Sequence, residues 1–329
     1  MDAAACSASS AMDTATLKNR AFVFVKPHAN NRVVQRTVRE ALLAAKLDIQ
    51  SEGDLSGTTI DDKKLIDQHY YAIASKATLL EPRDMAVPAD DFEAFFGEAW
   101  DDVLRSGRAA NALQACERLG VDADGLEAAW RACEPENKVV KLGGGFYCGL
   151  LEVAGREPLY VFNAFFMTMR RKFTRDGASI HYYVVEWDPA ALSWADFRGR
   201  VLGPTDPASA PDGSLRKTIL DRWRELGLAA APNKGDNGVH ASASPFEGLA
   251  ERANWLSGET GDADAVSGDP FGAALLAVGV TAETIRRWSV DPRVRLPPAG
   301  AEEGSLFDAL EDTDATACLE KCIAINNLA

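Results

Sequence analysis

A histidine, a serine and a glutamate are spaced so that they could support nucleophilic catalysis. His240 precedes Ser242 by two residues and Glu251 by eleven, and the chain has only four histidines. A neutral imidazole becomes a nucleophile when neighbouring groups fix its tautomer, and hydroxyl and carboxyl groups suit that task. The spacing predicts a nucleophilic His240 oriented by Ser242 and Glu251. An ordinary polar cluster beside a helix is the alternative interpretation.

The residues that follow His240 predict a helix. Ser244 fits the N-cap, Pro245 the first helical position, and Glu247 the closing residue of a capping box. Apolar residues then recur at helical spacing, namely Phe246, Leu249, Ala250, Ala253 and Leu256. We expect His240 on a turn just ahead of this helix, where free N–H groups and the helix dipole favour negative charge.

Four separated blocks, in the same order, resemble the nucleoside diphosphate kinase family. The active-site block is Asn237-x-x-His240-Ala-Ser242 followed by Glu251, and a second block runs from Arg200 through Thr205 to Arg216. The other two blocks are the apolar run ending in Lys26-Pro27 and the pair His69-Tyr70. Together the blocks cover about half the chain, mainly residues 21–76 and 163–256.

This resemblance implies a phosphotransferase. The γ-phosphoryl group of a nucleoside triphosphate would pass to His240 and then to a nucleoside diphosphate, in a ping-pong reaction. It implies His240, Ser242 and Glu251 as catalytic residues. The implied nucleotide-binding residues are Lys26, Tyr70, Phe165, Arg200, Thr205, Arg216 and Asn237. Mg²⁺ would be carried by the nucleotide, with no metal ligand assigned in the protein.

Within that set, each residue has an expected partner. The phosphates would be bound by Lys26, Arg200, Thr205 and Arg216, the ribose by Lys26 and Asn237, and the base by Phe165. Three assignments keep alternatives: Phe166 for Phe165, Arg198 for Arg200, and a core aromatic role for Tyr70.

Several positions depart from the family pattern. His28-Ala29 stands where the family has Asp-Gly, and Ala243 stands where it has Asp. A long segment also separates the His69-Tyr70 helix from Phe165. A catalytically weak or inactive family member that serves as a binding or scaffold protein is therefore the alternative function.

The pattern along the chain predicts an α+β fold, a ferredoxin-like α/β sandwich with an insertion and a C-terminal extension. Strands are expected at 21–25, from 47 and at 180–187, and helices at 59–76 and 219–226, with the fourth core strand not placed. Phe146–Val153 and Leu159–Phe162 predict a hairpin, which Leu142-Gly-Gly-Gly-Phe146 enters as a turn. The expected regions are a disordered tail (1–20), the first core part (21–80), the insertion (81–162), the second core part (163–257) and a helical extension (258–329).

Composition restricts the classes of partner that the protein is expected to bind. The net charge is −14, from 35 Lys and Arg against 49 Asp and Glu, so we expect no extended nucleic-acid surface. No apolar run is long enough to span a membrane, and six cysteines without paired spacing favour the reducing cytoplasm. The aromatic residues of the insertion predict a folded appendage that could contact a protein partner or a second copy of the chain.

Overall fold

The structure is a computed structural model that describes residues 17–256, 262–297 and 303–328. Its strands are β1 (Asn19–Val25), β2 (Asp48–Ser56), β3 (Ala109–Asn111), β4 (Val139–Gly143), β5 (Phe146–Leu151), β6 (Leu159–Phe162), β7 (Ser179–Trp187), β8 (Val239–Ala241), β9 (Arg293–Arg295) and β10 (Glu303–Ser305). The first helices are α1 (Arg32–Ala44), α2 (Gly57–Asp62), α3 (Leu65–His69), α4 (Tyr71–Ala74), α5 (Ala89–Phe96), α6 (Trp100–Arg105), α7 (Ala112–Leu119), α8 (Ala123–Cys133) and α9 (Phe166–Thr174). The later helices are α10 (Trp194–Asp196), α11 (Leu215–Asp221), α12 (Pro245–Trp255), α13 (Asp262–Ser267), α14 (Pro270–Ala277), α15 (Ala282–Trp288), α16 (Leu306–Leu310) and α17 (Ala315–Asn326). The fold is α+β, as the sequence predicts.

The central sheet has four strands in the order β2-β7-β1-β8, and every neighbouring pair is antiparallel. Successive side chains of a strand point to opposite faces, so β1 contributes side chains to two cores. Val23 and Val25 join the core that α1 and α11 cover, whereas Phe22 and Phe24 join the core built with α2, α3, α9 and Trp255. Both faces of the sheet are therefore covered, which explains why β1 is apolar from Ala21 to Val25.

A second four-stranded sheet, in the order β3-β6-β5-β4, forms within the inserted segment. The β5–β6 pair is antiparallel, which confirms the predicted hairpin, and Gly144 and Gly145 form the turn between β4 and β5. One face packs on α7 and α8, with Trp130 in the core. The other packs on α5 and α6, with Phe92 and Trp100 buried. The aromatic residues of this segment thus supply its two cores.

The C-terminal segment packs on the outer side of α12. Phe246 and Leu249 of that helix join a core with Phe271, Trp288 and residues of α16 and α17. Helices α14 and α17 lie within the segment in which a helical extension is predicted. Because α12 also contributes Trp255 to the core beneath the sheet, it is buried on two sides. None of the helices in the three described ranges is long and apolar enough to cross a membrane.

Several element boundaries differ from those predicted. Strand β1 begins at Asn19, within the predicted tail; residues 1–16 of that tail lie outside the described residues. Helix 59–76 is interrupted at Lys64, whose positive φ of 54° ends one helix and starts the next. The helix predicted at 219–226 starts earlier, at Leu215, and ends at Asp221.

Candidate active site

His240 lies in a strand rather than on the predicted turn. Strand β8 is only three residues long and pairs with β1, with Phe24 opposite His240. The Phe24 ring stacks on the imidazole at 4.6 Å between ring centres. These contacts leave the His240 side chain 17% exposed. The backbone pairing with β1 fixes where the imidazole lies, which a free turn would not do.

Ser242 and Glu251 meet the His240 ring as a connected chain of hydrogen bonds. Glu251 Oε1 lies 2.6 Å from His240 Nε2, and Ser242 Oγ donates to Glu251 Oε2 at 2.6 Å. Ser242 Oγ also accepts the Phe22 N–H at 2.9 Å, which ties the chain to strand β1. Helix α12 delivers Glu251 to the ring, because Ser244 caps its start by accepting the Glu247 N–H. The capped helix and the sheet therefore hold both ends of the chain of bonds.

Burial sets the protonation of this pair. The pKa of His240 is well below its usual value, first because the ring is buried and then because Lys26, Arg216 and Arg198 oppose a further positive charge. Burial also raises the pKa of Glu251 to about 7, against the opposing effects of His69 and the Ser242 hydrogen bond. The imidazole is therefore neutral at neutral pH, as a nucleophile must be.

Arg216 is buried beside His240. It is 8% exposed, and it donates to the carbonyl oxygens of Val239 (3.0 and 3.1 Å) and Gly203 (2.8 Å). These three bonds use three of its five N–H groups, so two remain for a ligand. Burial and the charge of Arg198 lower its pKa to about 10. Arg216 thus both braces the residue before His240 and offers free donors.

Lys26 stands at the end of β1 and faces the same region. Its Nζ donates a long hydrogen bond to the Gly235 carbonyl at 3.4 Å. Burial, and then the charge of Arg216, lower its pKa to about 8. A cation that two unfavourable effects destabilise in this way gains when an anion binds beside it.

The structure separates the two candidate arginines, Arg198 and Arg200. Arg200 is 77% exposed and lies 3.6 Å from Asp196, on the surface. Arg198 is 25% exposed and pairs with Glu311 at 2.6 Å and Asp312 at 2.7 Å. Its charge is one of those that lower the pKa of His240. The geometry therefore favours Arg198, the alternative, over Arg200.

Asn237 and Thr205 are joined through the backbone. Asn237 Nδ2 donates to the Thr205 carbonyl at 2.9 Å, and the Thr205 side chain is exposed. Asn237 is 2% exposed, and its Oδ1 has no hydrogen-bond partner among the described residues. The next residue, Gly238, has a φ of +88°, and a Cβ there would lie 3.0 Å from Ile219 Cδ1. Glycine is therefore required to turn the chain into β8.

His69 contacts His240 and Glu251, which the sequence did not predict. Its Nδ1 lies 3.3 Å from Glu251 Oε1, and its ring meets the His240 ring edge-on at 4.6 Å. Burial, then the neighbouring His240, lower its pKa to about 3. Tyr70 packs edge-on against His69 at 4.6 Å, and burial raises the Tyr70 pKa to about 12. The His-Tyr pair was the only sequence signal for this contact.

Phe165 lies at a different cavity from His240. Its ring packs edge-on against Trp130 at 5.9 Å and Tyr147 at 5.7 Å, both from the insertion. These three residues line a cavity of about 660 Å³ that His240 does not line. Phe166, the alternative, is buried in the core. Neither ring is therefore placed beside His240 in this structure.

A cavity of about 900 Å³ reaches His240 from the side of the C-terminal segment. Its polar end includes His69, Tyr70, His240 and Glu251. The remaining walls come largely from α12 and from α13–α16, including Ala253, Val266, Leu276, Ile285 and Phe307. The C-terminal segment therefore forms much of this cavity.

Comparison with known proteins gives little beyond this geometry. No protein-family model matches the sequence, and no curated protein matches it either. Among solved structures, the chain is similar to an NDP kinase from Pyrobaculum aerophilum, with 16% sequence identity and a TM-score of 0.35. That similarity covers 74% of this chain and 97% of the other.

Proposed function

We propose that this protein is a phosphotransferase of the nucleoside diphosphate kinase type, with His240 as its nucleophile. The γ-phosphoryl group of a nucleoside triphosphate would form a bond to His240 as the bond to the leaving diphosphate breaks. A second nucleoside diphosphate would then take the phosphoryl group from His240. The strand order β2-β7-β1-β8 supports a ferredoxin-like core that carries the nucleophile on its edge strand.

The hydrogen bond between His240 Nε2 and Glu251 carries this proposal. When the ionised carboxylate accepts the Nε2–H, the lone pair of the ring resides on Nδ1. His240 Nδ1 makes no hydrogen bond to the part of the chain that the structure describes. Glu251 would also stabilise the positive charge that the ring gains as Nδ1 attacks phosphorus.

The proposed reaction also requires groups that bind the negative charge of the phosphates, and the cations near His240 can do so. Lys26, Arg216 and Arg198 are the groups whose charge acts on the imidazole. Phosphoryl transfer asks mainly for positioning and for stabilisation of negative charge on the transferred group. Arg216 offers two unused N–H groups in fixed orientation, and Lys26 becomes more stable beside an anion.

The same three positive charges also affect how Mg²⁺ would be held at the site. All three groups are cations, and cations do not ligate a metal ion, so Mg²⁺ fits here as an ion carried by phosphate oxygens. The unpartnered Asn237 Oδ1 could accept a ribose hydroxyl, which would remove the cost of leaving it buried and unpaired.

An acid-labile phosphoenzyme tests the proposal. The purified protein is mixed with γ-³²P-labelled ATP, and label that is stable to base and lost in acid is measured. We expect label on the wild type and none on His240→Ala, with ATP affinity within roughly tenfold, or about 1.4 kcal/mol. His181→Ala is the matched control, because His181 pairs with Asp54 at 2.8 Å. Unlabelled wild type, or label retained in His240→Ala, would contradict the proposal.

A further inference from the structure

Two histidine nitrogens approach one carboxylate oxygen beneath the large cavity. Glu251 Oε1 lies 2.6 Å from His240 Nε2 and 3.3 Å from His69 Nδ1. The three ligating atoms all lie within 4.8 Å of one another. Among the described residues, no other group of three or more His, Cys, Asp or Glu side chains is close enough to hold a metal ion.

We propose that His69, His240 and Glu251 form a binding site for a divalent transition-metal cation, with Zn²⁺ as the best match. Two imidazole nitrogens and one carboxylate oxygen are a ligand set of zinc sites that keep an open position. Magnesium and calcium prefer all-oxygen ligands, so the set discriminates against the ion that accompanies a nucleotide.

Both separations from Glu251 Oε1 are within 1 Å of those that zinc requires, and the ligand atoms of the two histidines lie within 4.8 Å of each other. Ligand atoms about 2.1 Å from a tetrahedral ion lie about 3.4 Å from each other. The separation of 3.3 Å between His69 Nδ1 and Glu251 Oε1 already fits. The 2.6 Å between His240 Nε2 and Glu251 Oε1 is a hydrogen bond. It must open by under 1 Å when the imidazole proton moves to Nδ1 and a metal takes its place at Nε2.

His69 Nδ1 carries a lone pair rather than a proton, and a metal ion here would replace the Trp255 N–H that this lone pair now accepts. Trp255 Nε1 donates to His69 Nδ1 at 3.4 Å, and since an indole nitrogen only donates, Nδ1 is the acceptor. An ionised Glu251 then places a second acceptor 3.3 Å away with no proton between the two. A cation bound to both atoms would replace this repulsion with two attractive contacts.

The surroundings match those of a metal site with an open position. Ser242 Oγ donates to Glu251 Oε2 at 2.6 Å, which fixes the carboxylate and leaves Oε1 directed at the histidines. All three ligand residues line the cavity of about 900 Å³, so a water or a ligand can complete the coordination from that side.

Metal titration of the full chain tests the site. Metal-free protein is titrated with Zn²⁺ by calorimetry and with Co²⁺ by visible absorption, in millimolar Mg²⁺ and without nucleotide. We expect one equivalent to bind with a Kd of micromolar or lower, and tetrahedral Co²⁺ bands to appear. His69→Gln should weaken binding by a hundredfold or more, and Ser242→Ala by about ten- to a hundredfold. His181→Gln, with its histidine elsewhere on the sheet, should bind as the wild type does.

A further variant covers the case in which His69→Gln does not fold. In His69→Cys, a thiolate ligand should add a sulfur-to-cobalt absorption band to the Co²⁺ spectrum. No binding to the wild type, unchanged affinity in folded His69→Gln, or no new band in folded His69→Cys would each overturn the site. Because no nucleotide is used, these results are distinct from those of the phosphoenzyme experiment.

Discussion

Replacing Ser242 with alanine should destabilise the protein by an amount that depends on pH. The hydroxyl accepts the buried Phe22 N–H at 2.9 Å and donates to Glu251 Oε2 at 2.6 Å. The first bond is lost at every pH, and a buried unpaired amide costs about 1–3 kcal/mol. The second bond favours the ionised form of Glu251, so its contribution appears only where the carboxyl is ionised.

The pH window follows from the pKa of Glu251. Burial raises that pKa to about 7 in the folded protein, above its value in the unfolded chain. The stability that protonated Glu251 contributes is therefore complete below about pH 4.5 and is lost as pH rises through about 7. A hydrogen bond to a charged group contributes about 1.5–3 kcal/mol, so Ser242→Ala should move the pKa to between about 8 and 9.

Urea unfolding at pH 6 and at pH 9.5 measures this difference. The destabilisation by Ser242→Ala should be greater at pH 9.5 than at pH 6 by about 1.5–3 kcal/mol. Ser244→Ala is the matched control, since Ser244 caps α12 and makes no contact with the Glu251 carboxylate. It should cost about 1 kcal/mol at both pH values. An equal cost of Ser242→Ala at the two pH values would refute the assignment of the bond to an ionised Glu251.

Three further substitutions test the structure. In urea unfolding, Arg198→Ala should lower the free energy of unfolding by about 1–2 kcal/mol, because it removes a part-buried cation shared by two carboxylates. Arg200→Ala should change it by less than about 0.5 kcal/mol. Gly238→Ala should cost about 1–3 kcal/mol in thermal unfolding, and Gly199→Ala, with open space and no positive φ, should be far milder. Trp130→Ala should lower the free energy of unfolding by about 3–5 kcal/mol and speed proteolysis of the inserted segment. Rapid cleavage of that segment in the wild type would instead contradict its packed core.

Burial explains which strands could be predicted. Strands β1 and β7 are covered on both faces, so each contains a run of apolar or aromatic residues that the sequence displays, at 21–25 and 182–185. Strand β8 has only three residues, too few for any period, and it exists because β1 offers an unpaired edge. The fourth strand of the core therefore could not be read from its own residues.

The candidate site was predictable where it depends on local geometry. The capping residues fix the start of α12, and that start places Glu251 opposite His240. The directions in which the side chains of Arg198 and Arg200 point depend instead on a π-helical turn, Phe197–Leu202, which the sequence does not signal. The contact of His69 with Glu251 depends on how separate elements pack, so no spacing along the chain could predict it.

Glu251 connects the two proposals through one atom. Its Oε1 holds the proton of His240 Nε2 in the proposed phosphoryl transfer, and the same oxygen would hold the metal in the proposed cation site. A proton and a metal ion cannot both occupy the space between these atoms, so the two states exclude each other. A neutral imidazole that binds a metal through Nε2 carries its proton on Nδ1, which then has no lone pair with which to attack phosphorus. If both proposals hold, zinc should therefore slow phosphorylation of His240 even when Mg²⁺ and nucleotide are saturating.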